Sequence, residues 1–137
     1  SQRIFPVALD AEHYGAGVPR RRVLVVDQND DFLDALSSLL TNDPGLEVVG
    51  RAHTAAEAIE RAEELLPDLV LLDVSSDTSG LKAVPRLKAL HPAPLVLLMI
   101  FHKSQAADLA AIGAGADGCV SKAGVPDRLL ATIRERL

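Results

Sequence analysis

Three residues stand out because each closes a short apolar run: Asp27 after Val23 to Val26, Asp73 after Leu69 to Leu72, and Lys122 after Gly118 to Ser121. Runs of this length bounded by turn residues read as buried strands. In an open parallel sheet, ligands bind beyond the carboxyl ends of the strands where the winding reverses. In the five-stranded flavodoxin-like order that point lies between strands one and three. Asp27 and Asp73 ending those strands place two carboxylates side by side, and the Lys122 ammonium joins them on the same rim. Such a rim is a ligand-binding site. The plainer alternative is that each polar residue only closes a strand and caps the following turn.

The elements that must position these residues follow from periodicity. Apolar runs begin near residues 23, 46, 69, 95 and 118, each followed by a stretch of helical spacing. This alternation predicts βα units and a parallel sheet covered on both faces, an α/β three-layer (βα)5 sandwich with flavodoxin-like strand order 2-1-3-4-5. The strands are VLVVD (23–27), LEVVGR (46–51), LVLLD (69–73), LVLLMI (95–100) and GCVSK (118–122). The first helix, from near Asp30, carries Phe32, Leu36, Leu39 and Leu40 on one face. The second opens on a Thr54/Glu57 capping box and carries Ala55, Ala58, Ile59, Ala62 and Leu66. A third begins near Gly80, bent or delayed by Pro85. A fourth spans about 104–114, and the last opens on Pro126 with Leu129, Ile133 and Leu137 aligned.

At 137 residues the chain has the size of one domain. Residues 1–21 lack a sustained period and read as an extension or linker, leaving 22–137 as the folded domain. A net charge of -5 and a pI near 5.3 give no electrostatic footprint for nucleic acid. The longest apolar run, Leu95 to Phe101, is far short of the roughly 20 residues of a membrane span, and the N-terminus lacks a secretory signal pattern. The single cysteine, Cys119, excludes a disulfide framework, so a cytoplasmic location is expected.

VLVVDQNDDFLDAL, PDLVLLDVSSDTSGL, GLKAVPRLKALHP and GADGCVSK resemble the motifs of response-regulator receiver domains of two-component systems, closest to those preceding LuxR-type DNA-binding domains. The resemblance spans about residues 22–137 and is most specific at Asp27, Asp73, Lys122 and the GADG step. It implies that Asp73 accepts a phosphoryl group from a sensor histidine kinase or phosphotransfer protein, with Lys122 as phosphate partner. It further implies Mg²⁺ held by Asp27, Asp73 and the main-chain carbonyl of Ser75, with Gln28 where a second acid is usual. A homodimer and a DNA-binding output domain beyond these residues are implied partners. The chain is expected to be no enzyme beyond forming and losing its own acyl phosphate at Asp73.

The departures from that pattern fall on the same site. Gln28 removes one negative charge and should weaken Mg²⁺ binding. Where a Ser or Thr hydroxyl ends strand four in the family, this chain has Ile100 counting back from Lys122, or Met99 counting forward from Pro94. Cys119 replaces the strand-five aromatic, Ala123 replaces Pro, and VSSDTSG lacks Met-Pro and one residue. Two alternatives therefore accompany the receiver reading. One is a phosphorylation-independent pseudo-receiver acting in dimerisation or protein interaction. The other, a small haloacid-dehalogenase-like phosphatase, lacks the second Asp it needs, since Asn29 stands there.

Other features have simpler explanations. Gly113 to Gly118 matches GxGxxG, but it follows a helix and precedes a strand, so it reads as a helix stop. His13, His53, His91 and His102 read as solvated loop residues, Cys119 as a small core residue, and Asp30, Asp31 and Asp34 as acids at a helix start.

Overall fold

Successive strand residues point to opposite faces, so a sheet covered on both sides divides its apolar side chains between two cores. The computed structural model describes residues 19–74, 78–102, 104–123 and 126–137 and shows this division. The elements are β1 (Arg21–Val26), α1 (Asp30–Thr41), β2 (Leu46–Ala52), α2 (Ala55–Leu65) and β3 (Leu69–Asp73). A 3-10 turn (Thr78–Lys82) then leads into α3 (Ala83–Lys88), β4 (Leu95–Ile100), α4 (Gln105–Ala114), β5 (Gly118–Ser121) and α5 (Pro126–Arg136). All strand pairs are parallel, in the order β2-β1-β3-β4-β5. This is the flavodoxin-like sandwich expected from the sequence.

One core joins Val23, Val25, Leu69, Leu71, Leu97 and Met99 to Leu33, Leu36 and Leu40 of α1 and Ile133 of α5. The other joins Leu24, Val26, Val70, Leu72, Val96 and Leu98 to Ala58 and Ala62 of α2, Val84 and Leu87 of α3, and Ala111 of α4. The periodicity erred by one position in two helices. In α1 it is Leu33 that is buried, while Phe32 and Leu39 are only half-buried. Leu66, assigned to the buried stripe of α2, is instead its left-handed C-cap at φ 48 and is 42% exposed.

Helix ends follow local chemistry. Asn29, Thr54 and Ser104 accept the backbone N–H of the third residue onward at 3.0, 3.1 and 3.0 Å. Glu57 reaches back to the His53 N–H at 2.7 Å, one residue before the Thr54 cap. Arg22 of β1 donates to the carbonyls of Leu65 and Leu66 at 2.6 and 3.1 Å and so closes the far end of α2. Pro85 delays α3 to Ala83 and falls within its first turn, where a missing N–H breaks no helical bond. Gly115, at φ 92, stops α4 as expected.

The turn after α1 is fastened to α5 across the molecule. Asp43, 8% exposed, accepts the Gly45 N–H at 2.8 Å and the Arg134 Nε at 2.8 Å. The Gly45 amide, and after it Arg134, hold the Asp43 carboxyl below its ordinary value against the opposing effect of burial. A lowered carboxyl contributes stability that is present above its unfolded value and lost as pH falls through the folded one. Asp43→Ala should therefore destabilise the fold by about 1–3 kcal/mol at neutral pH. Urea unfolding of both proteins should show that deficit shrinking below the ordinary carboxylate range.

Candidate functional site

Register brings the site together. Val26 pairs with Leu72 across β1 and β3, so Asp27 emerges beside Asp73, which ends β3 opposite Met99. Asp27 is held from both sides: its N–H donates to Ala52 O at 3.0 Å, and its Oδ1 accepts the Asn29 N–H at 2.9 Å. Lys122 follows β5, and its N–H donates to Ile100 O at 2.5 Å, which keeps the end of β5 against β4.

From that anchor the Lys122 side chain crosses the sheet end. Its Nζ donates to Asp27 Oδ2 at 2.7 Å and to Asp73 Oδ1 at 3.3 Å. The three side chains are 7%, 2% and 5% exposed, in the order Lys122, Asp27, Asp73. The ammonium also lies over two rings, 4.3 Å from the centroid of Phe32 and 4.9 Å from that of Phe101. Beyond Phe32, an apolar cavity of about 170 Å³ opens between α1 and α5, bordered by Leu36, Leu39, Met99 and Leu129. Charges so shielded from water interact more strongly than surface pairs.

The structure thus unites Asp27, Asp73 and Lys122 as the strand-end pattern requires. Gln28 is exposed, outside this cluster of buried charges. Ser75 lies outside the described residues. At the end of β4, Met99 is opposite Asp73 and Ile100 opposite Ser121, so both candidate registers put an apolar side chain there. Cys119 is buried, packs in the core shared with α3 and α4, and forms no disulfide.

Three features were not visible from spacing. Asp117, within the GADG step, accepts the Val96 N–H at 2.8 Å and the Lys88 Nζ at 2.8 Å, while its own N–H donates to Val96 O. It ties the start of β5 to β4 and α3. His53, read as solvated, is exposed but paired: it lies 2.6 Å from Asp30 and 3.5 Å from Glu57. Its hydrogen bond to the Asp30 carboxylate, and that carboxylate's charge, raise its pKa. Asp34, read as a dipole partner, bonds Arg51 at 2.6 Å. Among the described residues no three His, Cys, Asp or Glu side chains cluster as a metal site, and no helix is long and apolar enough to cross a membrane.

Compared with known proteins, residues 23–134 match the response regulator receiver domain family. The chain belongs to that family. This receiver domain is 38% identical over 103 residues to a protein-glutamate methylesterase/protein-glutamine glutaminase of Agrobacterium fabrum, covering 74% of the chain and 29% of that protein. It is 35% identical over 102 residues to the response regulator GacA of Pseudomonas viridiflava, covering 74% of the chain and 48% of that protein. It therefore spans less than a third and about half of these relatives. Among solved structures, a LuxR-family two-component response regulator from Aurantimonas superposes with a TM-score of 0.77 at 29% identity, covering 85% of this chain and 84% of that one. The response regulator domain of Thermotoga maritima CheB gives 0.76 at 27%, covering 85% and 96%.

Removing the cation would leave two carboxylates facing each other out of water. Lys122→Met should destabilise the receiver by about 3–5 kcal/mol. Guanidinium unfolding of both proteins at neutral pH measures this.

Proposed function

We propose that this receiver domain accepts a phosphoryl group at Asp73 and passes signals within a two-component phosphorelay, its donor a sensor histidine kinase or phosphotransfer protein. The observation that supports this is the Lys122 ammonium held between the carboxylates of Asp27 and Asp73. An Asp73 oxygen attacks phosphorus; the new O–P bond forms as the bond from phosphorus to the donor atom breaks, and the leaving group keeps that electron pair. The phosphoryl group leaves close to two negative charges where one stood. Lys122, already 3.3 Å from Asp73, is placed to neutralise them.

Mg²⁺ takes one or two protein carboxylates together with phosphate oxygens and water. Asp27 and Asp73 both meet the Lys122 ammonium, and a carboxylate pair so close together fits that donor set. Bound there, Mg²⁺ would neutralise charge on the transferring group. Gln28 offers only a neutral carbonyl, and the resemblance assigns a further place to the Ser75 carbonyl.

The apolar end of β4 favours a second reading, in which the receiver works by protein contact with little dependence on phosphate. Neither Met99 nor Ile100 can donate to a phosphoryl oxygen. A missing bond to a charged acceptor costs about 1.5–3 kcal/mol, and a ligand shifts an equilibrium only by its differential free energy. Leu109 and Ile112 of α4, 62% and 70% exposed, provide apolar contact surface for a homodimer or an output domain, whereas Ile133 is fully buried and contributes none.

Incubation with Mg²⁺ and acetyl phosphate decides between the readings. Intact mass should rise by one phosphoryl group in this chain and not in Asp73→Asn; no gain in either overturns the phosphoacceptor reading in favour of the second. Gln28→Asp adds a negative charge next to Asp27 along the chain and should tighten Mg²⁺ on the order of tenfold by titration, with a less stable metal-free fold.

A further inference from the structure

We infer that Phe32 and Phe101 are positioning residues for the Lys122 ammonium, and that the exposed Phe101 ring carries the response to charge at Asp73 out to the surface beside α4. The first half stands on geometry alone; the second rests on the phosphoacceptor reading of Asp73.

The ammonium is bonded unevenly, 2.7 Å to Asp27 and 3.3 Å to Asp73. Both ring centroids lie within the roughly 6 Å reach over which an aromatic face attracts a cation, an attraction strengthened where water is excluded. Ring faces hold a cation without adding formal charge. A further carboxylate in their place would make a site with two acids and one base more negative still and would compete with incoming phosphate for the ammonium. The rings therefore guide the ammonium between its two carboxylates.

Their anchoring differs. Phe32 sits in the first turn of α1 and packs against the core shared by α1 and α5. Phe101 follows β4; its carbonyl accepts the Ser121 Oγ at 2.9 Å, which ties its backbone to β5, yet the residue is 53% exposed. Added negative charge at Asp73 draws the ammonium from Asp27 toward Asp73. The packed Phe32 ring resists following, whereas the exposed Phe101 ring can follow. Phe101 stands three residues before Ser104, the N-cap of α4, the helix that presents Leu109 and Ile112. Met99 and Ile100 are aliphatic and present no ring face to a cation, so the Phe101 ring takes that part.

The chain has no tryptophan, so Phe101→Trp introduces a single indole that preserves the ring face over Lys122. Beryllofluoride with Mg²⁺ serves as the phosphoryl mimic, its binding followed independently by fluorine NMR. Indole emission should change with the same beryllofluoride dependence as binding, and should not change in the Phe101→Trp, Asp73→Asn double variant. Binding without an emission change overturns the relay. Absence of binding removes the phosphoacceptor reading, and the relay with it. The positioning half is decided without any phosphate: the Lys122 ε-methylene signals should lie upfield of the other three lysines, move downfield in Phe101→Leu, and stay upfield in Phe101→Trp. Lys122 signals that coincide with the other lysines, or ignore Phe101→Leu while the amide spectrum stays folded, overturn it.

Discussion

One ammonium between two buried carboxylates sets the terms for the rest of the molecule. Each charge withdrawn from water costs several kcal/mol, recovered only when the partners meet in good geometry. Asp27, Asp73 and Lys122 come from three strands, and Lys122 lies 95 residues from Asp27 along the chain. Their meeting at 2.7 and 3.3 Å therefore depends on register across the β1-β3-β4-β5 stretch of the sheet. A slip of one residue in any of these strands would turn its side chains to the opposite face and remove a charge from the cluster. The chain guards against this at several points: Asp27 N–H on Ala52, Lys122 N–H on Ile100, and Asp117 spanning β4 and β5.

The two cores serve the same end by different means. On the α1 and α5 side, large residues such as Leu33, Leu36, Leu40 and Ile133 fill the space, and the Asp43–Arg134 bond fastens the far edge. On the other side, Ala58 and Ala62 bring α2 close to the sheet, and Gly50 lets Leu65 approach so nearly that a Cβ there would lie 2.7 Å from its Cδ1. Close packing of this kind resists small displacements. The strand ends are consequently held on a stiff base, which a site built from three charges requires.

What could be read from the sequence divides along the same physical line. Strand existence, order and the strand-end trio were legible because buried parallel strands are continuous apolar runs, and the residue that ends each run is conspicuous. The capped helix starts at Asn29, Thr54 and Ser104 and the stop at Gly115 obey local rules a sequence displays. Leu66 misled because a left-handed C-cap keeps an apolar residue in phase with the stripe while turning it outward. Phe32 misled because the α1 stripe runs through Leu33, and the ring turns instead toward Lys122. Asp43–Arg134, Asp117–Lys88 and His53–Asp30 join residues 91, 29 and 23 positions apart, and no spacing rule reaches across such separations.

This arrangement also accounts for a receiver domain resembling both methylesterase and LuxR-type relatives. The buried charges of Asp27, Asp73 and Lys122 are confined to strand ends and fixed by the sheet. Exposed apolar side chains lie outside that cluster, on α4, where Leu109 and Ile112 are exposed and Ala111 alone is buried. A helix anchored by so small a side chain can change its outward residues with little effect on the core. Input chemistry and output contacts are therefore free to vary independently, since a fold fixes neither partner nor outcome. The physical link between them has to cross from Lys122 to the segment before α4. In this chain the ring of Phe101 reaches Lys122 from that segment, and in the relay proposed above this aromatic contact is the coupling between site and surface.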